Sequence, residues 1–196
     1  YFEFDVTDAW QSGDNLIEVR AEDYRREMQT YGKQGYGEIQ GIWQTVWLEE
    51  RPQAYLSDFR ITTKISGDVC IAAQVSAPNG AVFSAYFDGQ SVAAPVQDGK
   101  ANLLLHLENP RLWSPDSPNL YEGTLRVEHN GSTDEVCTYF GVREISAAQV
   151  DGRDYQWILL NGKPIYLNGT LDQAFNPQGY FTYPDEADIR AEAWRL

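Results

Sequence analysis

The residues on which most metal-dependent and disulfide-stabilised proteins rely are scarce in this sequence. Its 196 residues include two cysteines, two histidines and one methionine. Two cysteines are too few for a disulfide scaffold, so the stability of the fold must come from its apolar core. The histidines, His106 and His129, have no second histidine or cysteine near them in the sequence. We therefore predict no metal site and no cofactor.

Basic residues and long apolar runs are also scarce. Fifteen lysines and arginines stand against 29 aspartates and glutamates, which gives a formal net charge of -14. A surface of this sign repels phosphate backbones and argues against nucleic acid as a partner. No run approaches the ~18 apolar residues that span a bilayer, and the first ten residues lack the basic start and apolar centre of a signal peptide. The sequence thus predicts no membrane partner and leaves the cellular compartment open.

The two cysteines, Cys70 and Cys137, would fall on an early and a late strand of one sandwich, as the bridged pair of an immunoglobulin domain does. The alternation of side chains argues against this bridge. In the segment DVCIAAQVS the residues at positions 69, 71, 73 and 75 are apolar, which places Cys70 on the opposite, outward face. The sequence therefore predicts two free thiols.

Residues 1–53 carry a predicted hairpin and one further strand. Alternate positions are apolar in residues 2–6 and again in residues 17–21, with a Gly-Asp-Asn turn between them. Residues 42–47 supply β-branched and aromatic side chains, and Pro52 closes this strand. Two or three strands cannot cover their own apolar face, so we expect this segment to be the end of a larger sandwich.

Seven short strands follow between Tyr55 and about Arg143, separated by Gly, Asn, Pro or Asp. Seven alternating strands at this pitch are typical of an immunoglobulin-like sandwich. Between the fifth and sixth strands, the proline-rich stretch NPRLWSPDSPNLY interrupts strand pairing and predicts an extended, wrapping loop. We interpret Trp113 and Tyr121 as packing residues that hold this loop against the sandwich.

The pattern changes again after the sandwich. Two apolar segments flank Asn161 and Gly162, which is the strongest short signal for a hairpin. The final segment, TYPDEADIRAEAWRL, then has a helical period, with Pro184 at its start and Asp185 and Glu186 suited to the positive end of the helix dipole. A strand followed by an amphipathic helix predicts the first unit of an α/β domain.

Three stretches together resemble glycoside hydrolase family 2, which includes β-galactosidases, β-glucuronidases and β-mannosidases. GIWQTVWLE (residues 41–49) is similar to the last strand of the family's sugar-binding jelly roll, LWSPDSPNLY (112–121) to its sandwich signature, and LLNGKPIYLNG (159–169) to the start of its TIM barrel. The resemblance implies a mainly β chain: the end of the jelly roll in residues 1–53, an immunoglobulin-like sandwich in 54–143, and a truncated (β/α)8 barrel in 144–196.

The resemblance also implies a retaining β-glycosidase, which needs two carboxyl groups ~5 Å apart, one as acid and one as nucleophile. In the family the acid/base Glu follows an Asn on the fourth barrel strand, and the nucleophile comes from the seventh. No Asn-Glu dipeptide occurs in this sequence. We expect both catalytic residues to lie outside it and these 196 residues to be inactive alone. The rival interpretation is a non-catalytic carbohydrate-binding or spacer module.

The implied partner is a carbohydrate substrate, a β-glycoside, and the resemblance is compatible with a homo-oligomer formed through a longer protein. In a TIM barrel the loops after the strands face the substrate. The corresponding loop here, TLDQAFNPQGYFTYP, offers Asp172 and Gln173 to sugar hydroxyls and Phe175 or Tyr180 to a pyranose face. Alternatively, these side chains only organise a long loop. Many family members have Arg-His-Glu where this chain has Leu171-Asp172-Gln173, so the usual galactoside or glucuronide specificity is in question.

Overall fold

The computed structural model describes residues 2–22, 41–42, 44–172 and 176–195. The chain divides into two compact units, one of residues Leu48–Asn168 and one that combines Tyr1–Trp47 with Gly169–Leu196. This division follows spatial proximity and does not test the boundaries at residues 53 and 143, which remain predictions.

All seven strands predicted between residues 55 and 143 are present, together with a short hairpin in the proline-rich loop. The strands are β1 (Tyr55–Thr63), β2 (Asp68–Ser76), β3 (Val82–Phe87), β4 (Gln90–Pro95), β5 (Lys100–His106), β6 (Trp113–Ser114), β7 (Ser117–Pro118), β8 (Tyr121–His129) and β9 (Ser132–Phe140). One antiparallel sheet has the order β1-β2-β5 and the other β4-β3-β8-β9. The predicted mainly β, immunoglobulin-like fold is thus confirmed.

The core lies between the two sheets, where each strand contributes alternate residues. In β2, Val69 and Ile71 are fully buried, whereas Cys70 between them is exposed. Cys137 on β9 is also exposed, and both cysteines are free. The outward orientation predicted for Cys70 is therefore confirmed, because the period of two that fills the core also turns this thiol to solvent.

An aromatic cluster fills one part of this core. The rings of Phe87 and Phe140 meet edge to face at 4.9 Å, and Tyr121 stacks on Phe140 at 5.4 Å. The Tyr121 hydroxyl accepts a hydrogen bond from the Arg111 backbone N–H at 2.7 Å. Because this residue is 4% exposed and bonds to the loop, its predicted role in holding the proline-rich loop is confirmed.

A third antiparallel sheet belongs to the same compact unit. It consists of β10 (Ile145–Gln149), β11 (Gln156–Leu160) and β12 (Lys163–Pro164) in sequence order. The turn between β11 and β12 is the predicted Asn161–Gly162 pair, with φ of 51° and 75°, the left-handed conformations that a two-residue hairpin of this type requires. The strand resembling the first barrel strand is therefore paired antiparallel on both sides, and the start of a TIM barrel remains a prediction.

The hairpin expected in residues 2–21 is not formed. These residues contain no strand, and their one regular element is a 3-10 turn at Thr7–Ala9. The predicted turn is present, but the Asn15 side chain closes it: its amide accepts from the Gln11 N–H at 2.9 Å and donates to the Gln11 carbonyl at 2.7 Å. The backbone groups of Gln11 are thereby withdrawn from strand pairing, as asparagine side chains near turns often do.

The strand expected over residues 42–47 is also absent from its described part, since residues 42 and 44–47 have no strand conformation and Trp43 lies outside the described residues. The apolar side chains Phe2, Phe4 and Leu16 are 89%, 79% and 93% exposed. An apolar alternation becomes a strand only where a neighbouring strand satisfies its backbone and a facing layer covers it. No described residue pairs with these segments as a strand.

The predicted helix is present as α1 (Glu186–Arg195). It begins one residue after Asp185, whose carboxylate accepts the Asp188 N–H at 2.9 Å as an N-terminal cap. Glu186 and Arg190, four residues apart, form an ion pair of 2.6 Å. The helix buries none of its described side chains, and Trp194 is 89% exposed. No helix in the described part of the chain is long and apolar enough to cross a membrane.

Candidate functional site

Of the four residues predicted to contact substrate, the structure describes Asp172 and Tyr180. Asp172 is exposed and lies outside any strand, while Gln173 and Phe175 lie outside the described residues. Partial burial raises the pKa of the Tyr183 hydroxyl, and the negative charges of Asp172 and Glu192 raise it further. The Asp172 carboxylate is thus close enough to Tyr183 for its charge to act on this hydroxyl. Its role toward substrate remains a prediction.

The loop that follows Asp172 is held by its own hydrogen bonds. The Asn176 carboxamide oxygen accepts the N–H groups of Gln178 and Gly179, both at 2.9 Å. The backbones of Asn176 and Tyr180 exchange two further bonds of 2.7 and 2.8 Å. A side chain at Gly179 would meet the Thr182 carbonyl at 2.0 Å, so this position requires glycine. The loop is therefore a compact turn of defined shape.

The proline-rich loop, the end of the sandwich and the β11–β12 hairpin meet at one residue, Asn161. Its carboxamide N–H donates to the Trp113 carbonyl at 3.0 Å, and its carboxamide oxygen accepts the Glu144 N–H at 3.0 Å. Its backbone N–H donates to the Glu144 carbonyl at 2.8 Å. One asparagine thus joins two of the three sequence motifs, and we refer to these three hydrogen bonds as the Asn161 latch.

The Trp113 side chain is fixed from both sides. The Arg143 guanidinium lies over its indole ring at 4.6 Å, a cation–π contact. The Trp113 side chain also packs closely against Gly141, where an added Cβ would stand 3.0 Å from the Trp113 Cβ. The tryptophan backbone also donates to the Val142 carbonyl at 2.8 Å. The Trp-Ser-Pro motif therefore serves as an anchor between the loop and the end of the sandwich, which confirms the packing role predicted for Trp113.

Sequence reasoning identified Asn161 only as a turn residue and did not single out Arg143 or Gly141. The signal for Asn161 was the Asn-Gly pair, which indicates the hairpin but not its partner. Trp113 and Asn161 are 48 positions apart in the sequence, and no local pattern connects them. Their proximity depends on the way in which β10 returns the chain beside the proline-rich loop.

His106 has a carboxylate partner and no metal-like environment. Its Nδ1 lies 2.9 Å from the Asp68 carboxylate across the β2–β5 pair, and the Ser66 hydroxyl donates to the other Asp68 oxygen at 2.8 Å. These two hydrogen bonds, together with the positive charges of His106 and Lys64, lower the pKa of the Asp68 carboxyl. Among the described residues, no group of three His, Cys, Asp or Glu side chains could hold a metal ion.

This lowered pKa predicts an acid-dependent contribution to stability. A carboxyl whose pKa is lower in the folded state stabilises the fold above its unfolded pKa and loses this contribution as pH falls through the folded value. We expect Asp68→Asn to be less stable than the parent chain at pH 6, with the difference shrinking as the pH falls below the ordinary pKa of an aspartate carboxyl. The effect is small because the pair is exposed. Urea denaturation across this pH range measures it.

The control is Asp88→Asn, which removes another exposed carboxylate at a turn position with φ of 51° that asparagine tolerates. The Asp88 side chain forms no ion pair or hydrogen bond with the described residues. If the two variants show the same pH profile relative to the parent chain, the Asp68 pair contributes nothing beyond general charge.

Comparison with known proteins agrees with this arrangement. The fold of residues 48–168 is a two-sheet sandwich followed by a small antiparallel sheet. The model of the family described as glycosyl hydrolases family 2 matches residues 54–143. A putative β-glucuronidase of Formosa agariphila is 30% identical over 186 residues, which cover 86% of this chain and 22% of that protein. The β-galactosidase of Leuconostoc mesenteroides is 27% identical over 91% of this chain and 19% of its own length.

Solved structures show the same fold. The β-glucuronidase 3 of Bacteroides uniformis matches 74% of this chain and 19% of its own with a TM-score of 0.59 at 22% identity. A β-galacturonidase from Eisenbergiella tayi gives the same TM-score and identity over 74% of this chain and 27% of its own. The chain therefore belongs to glycoside hydrolase family 2. It spans about a fifth of the length of these curated relatives.

Proposed function

We propose that the chain is part of a retaining β-glycosidase and supplies the supporting sandwich and the approach to the catalytic barrel. The relatives are glycoside hydrolases, named as β-glucuronidase and β-galactosidase. The observation that carries the proposal is the extent of their similarity, which covers 86% and 91% of this chain, whereas the family model covers only residues 54–143. A sandwich used alone as a spacer would share only the sandwich.

In this proposal the chemistry belongs to a carboxyl pair outside these residues. A retaining mechanism needs two carboxyl groups about 5 to 5.5 Å apart. The Asn161 latch ties the β11–β12 hairpin to Trp113 and Glu144 beside the sandwich. This hairpin precedes the loop TLDQAFNPQGYFTYP, which we expect to face the substrate. The sandwich thus acts on the reaction by positioning. The substrate class is a β-glycoside, with β-uronides and β-galactosides as the sugars to test first, after the names of the relatives.

The test is to express the complete gene that encodes this chain and to assay the product with nitrophenyl β-glucuronide, β-galacturonide and β-galactoside. We expect turnover with retention of the anomeric configuration. NMR of the first-formed sugar measures this configuration. Residues 1–196 expressed alone should give none. A gene that ends at residue 196, or turnover by residues 1–196 that a single Asp or Glu substitution abolishes, would contradict the proposal and favour a spacer module or a different active site.

Within this enzyme we propose that Asp172 positions substrate by accepting a hydrogen bond from a sugar hydroxyl. A charge-assisted hydrogen bond that is stronger in the transition state contributes ~1.5 to 3 kcal/mol, so Asp172→Asn should lower kcat/KM by roughly one to two decades. The charge of Asp172 raises the pKa of Tyr183, so the same substitution should lower that pKa. Spectroscopic titration of Tyr183 detects this lowered pKa and so reports the loss of the carboxylate independently of activity.

The matched control is Asp154→Asn, an exposed aspartate of the other compact unit. It should leave kcat/KM unchanged. The melting temperature of each variant is measured as well. If Asp172 only organises the loop, Asp172→Asn should lower the melting temperature and leave the kinetics unchanged. Unchanged kinetics with a lowered melting temperature would show that Asp172 organises the loop and does not bind substrate.

A further inference from the structure

An open groove runs along the sandwich where the free edges of its two sheets approach each other. Among the described strands, β1 pairs only with β2 and β9 only with β8, so both present an edge here. The groove has a volume of about 470 Å3 and is lined by residues 60–63 of β1, by Trp113 and Leu120 of the proline-rich loop, and by Tyr139, Phe140, Gly141 and Arg143. Its volume falls in the range of small-molecule sites.

One wall of the groove is apolar and partly exposed. Tyr139 is 64% exposed and Leu120 is 39% exposed. Trp113 is half-buried and held between Gly141 and Arg143, so its position is fixed before any ligand arrives. Exposed aromatic rings beside an aliphatic side chain suit a ligand with one apolar and one polar face.

The groove also carries positive charge, from Arg60 and Arg143. Neither Arg60 nor Arg143 forms an ion pair with an acidic side chain within the described ranges 2–22, 41–42, 44–172 and 176–195. Most of the other described arginines are ion-paired, as Arg126 is with Glu135 at 2.7 Å and Arg190 with Glu186 at 2.6 Å. Arg111 and Arg153 lie over tyrosine rings instead. In a chain with 29 acidic residues and a net charge of -14, two arginines without carboxylate partners in one groove indicate an anionic ligand.

We propose that this groove binds an acidic saccharide through the carboxylate of a hexuronate unit. Guanidinium groups recognise carboxylates through paired N–H donors. The apolar wall of Tyr139 and Leu120 accommodates the C–H face of a pyranose ring, which free phosphate or sulfate would leave uncovered. The exposed Thr62 of the β1 edge supplies a hydroxyl for the sugar hydroxyls. The site is independent of catalysis, since every residue that lines it belongs to the sandwich unit.

The experiment is calorimetric titration of the 196-residue chain with trigalacturonate, with the neutral galactotriose as the matched uncharged probe, at low ionic strength. We expect saturable binding of the acidic trisaccharide and at least tenfold weaker binding of the neutral one. Arg60→Gln and Arg143→Gln should each weaken trigalacturonate binding by roughly 10- to 100-fold, as expected for loss of a charge-assisted hydrogen bond. Tyr139→Ala should weaken both probes.

The control variant is Arg126→Gln, which removes the same charge from an arginine that is paired with Glu135 and does not line the groove. It should bind trigalacturonate as tightly as the parent chain. Since Arg143→Gln also removes the support of Trp113, Arg60→Gln decides the outcome if the former variant fails to fold. Absence of saturable binding, equal weakening by Arg126→Gln, or equal competition by triglutamate would overturn the proposal, the last because the groove would then select charge and not a sugar.

Discussion

Replacement of Gly123 by alanine is expected to lower the free energy of unfolding of the sandwich by about 3 kcal/mol or more. Gly123 lies on β8 directly opposite Phe87 of β3. A Cβ at this position would stand 2.0 Å from the Tyr86 carbonyl oxygen and 2.4 Å from the Phe87 ring. Neither neighbour can move freely, since one is backbone and the other is a fully buried ring in edge contact with Phe140.

Guanidinium denaturation of the variant measures this cost. The control is Glu122→Ala, the exposed neighbour on the same strand, which should change stability by less than about 0.5 kcal/mol. Near-UV circular dichroism adds a local readout, because displacement of Phe87 disturbs the aromatic cluster with Tyr121. If Gly123→Ala is as stable as Glu122→Ala, the ring and strand can shift to accept a methyl group, and the close packing described above does not constrain the sheet.

The sequence predicted those parts of the fold whose determinants are local. Each sandwich strand buries alternate residues against the facing sheet, so the period of two in a segment such as DVCIAAQVS is a direct record of its environment. The Asn161–Gly162 turn was equally accessible, because only a few residues tolerate left-handed backbone at both positions. The helix at Glu186–Arg195 followed from its helical period, the proline before it and its acidic start, whereas the cap formed by Asp185 was not predicted.

Features that depend on distant partners could not be predicted in this way. Residues 2–6 and 17–21 alternate as strands do, yet no strand forms there. Alternation shows that a segment could pair but not that a partner strand exists. The same holds for β11, whose apolar residues are compatible with a barrel strand but whose neighbours are antiparallel. For the candidate site, Asp172 could be predicted because it follows the motif LLNGKPIYLNG. The contacts among Trp113, Arg143 and Asn161 could not be predicted.

The second large effect concerns the Asn161 latch: Asn161→Ala is expected to lower the free energy of unfolding by about 2 to 5 kcal/mol. Two side-chain hydrogen bonds, to the Trp113 carbonyl and from the Glu144 N–H, are lost, each contributing ~0.5 to 1.5 kcal/mol. Asn161 also has a φ of 51°, and alanine in this left-handed region costs roughly 1 to 2 kcal/mol more. Asn161→Gly separates the two contributions, because glycine keeps the backbone conformation and loses only the side-chain bonds.

The matched control is Asn130, which occupies the first position of the β8–β9 turn with φ of 48° and whose carboxamide, within the described part of the chain, bonds only to its neighbour His129. Asn130→Ala should show the backbone cost alone, and Asn130→Gly should be close to neutral, whereas Asn161→Gly should still lose about 1 to 3 kcal/mol. Hydrogen exchange provides a site-specific readout, because the Glu144 amide donates to the Asn161 side chain and should exchange faster only in the Asn161 variants. Equal stabilities of Asn161→Gly and Asn130→Gly, with the Glu144 amide still protected, would mean that the third sheet is held to the sandwich by other contacts and that Asn161 serves only its turn.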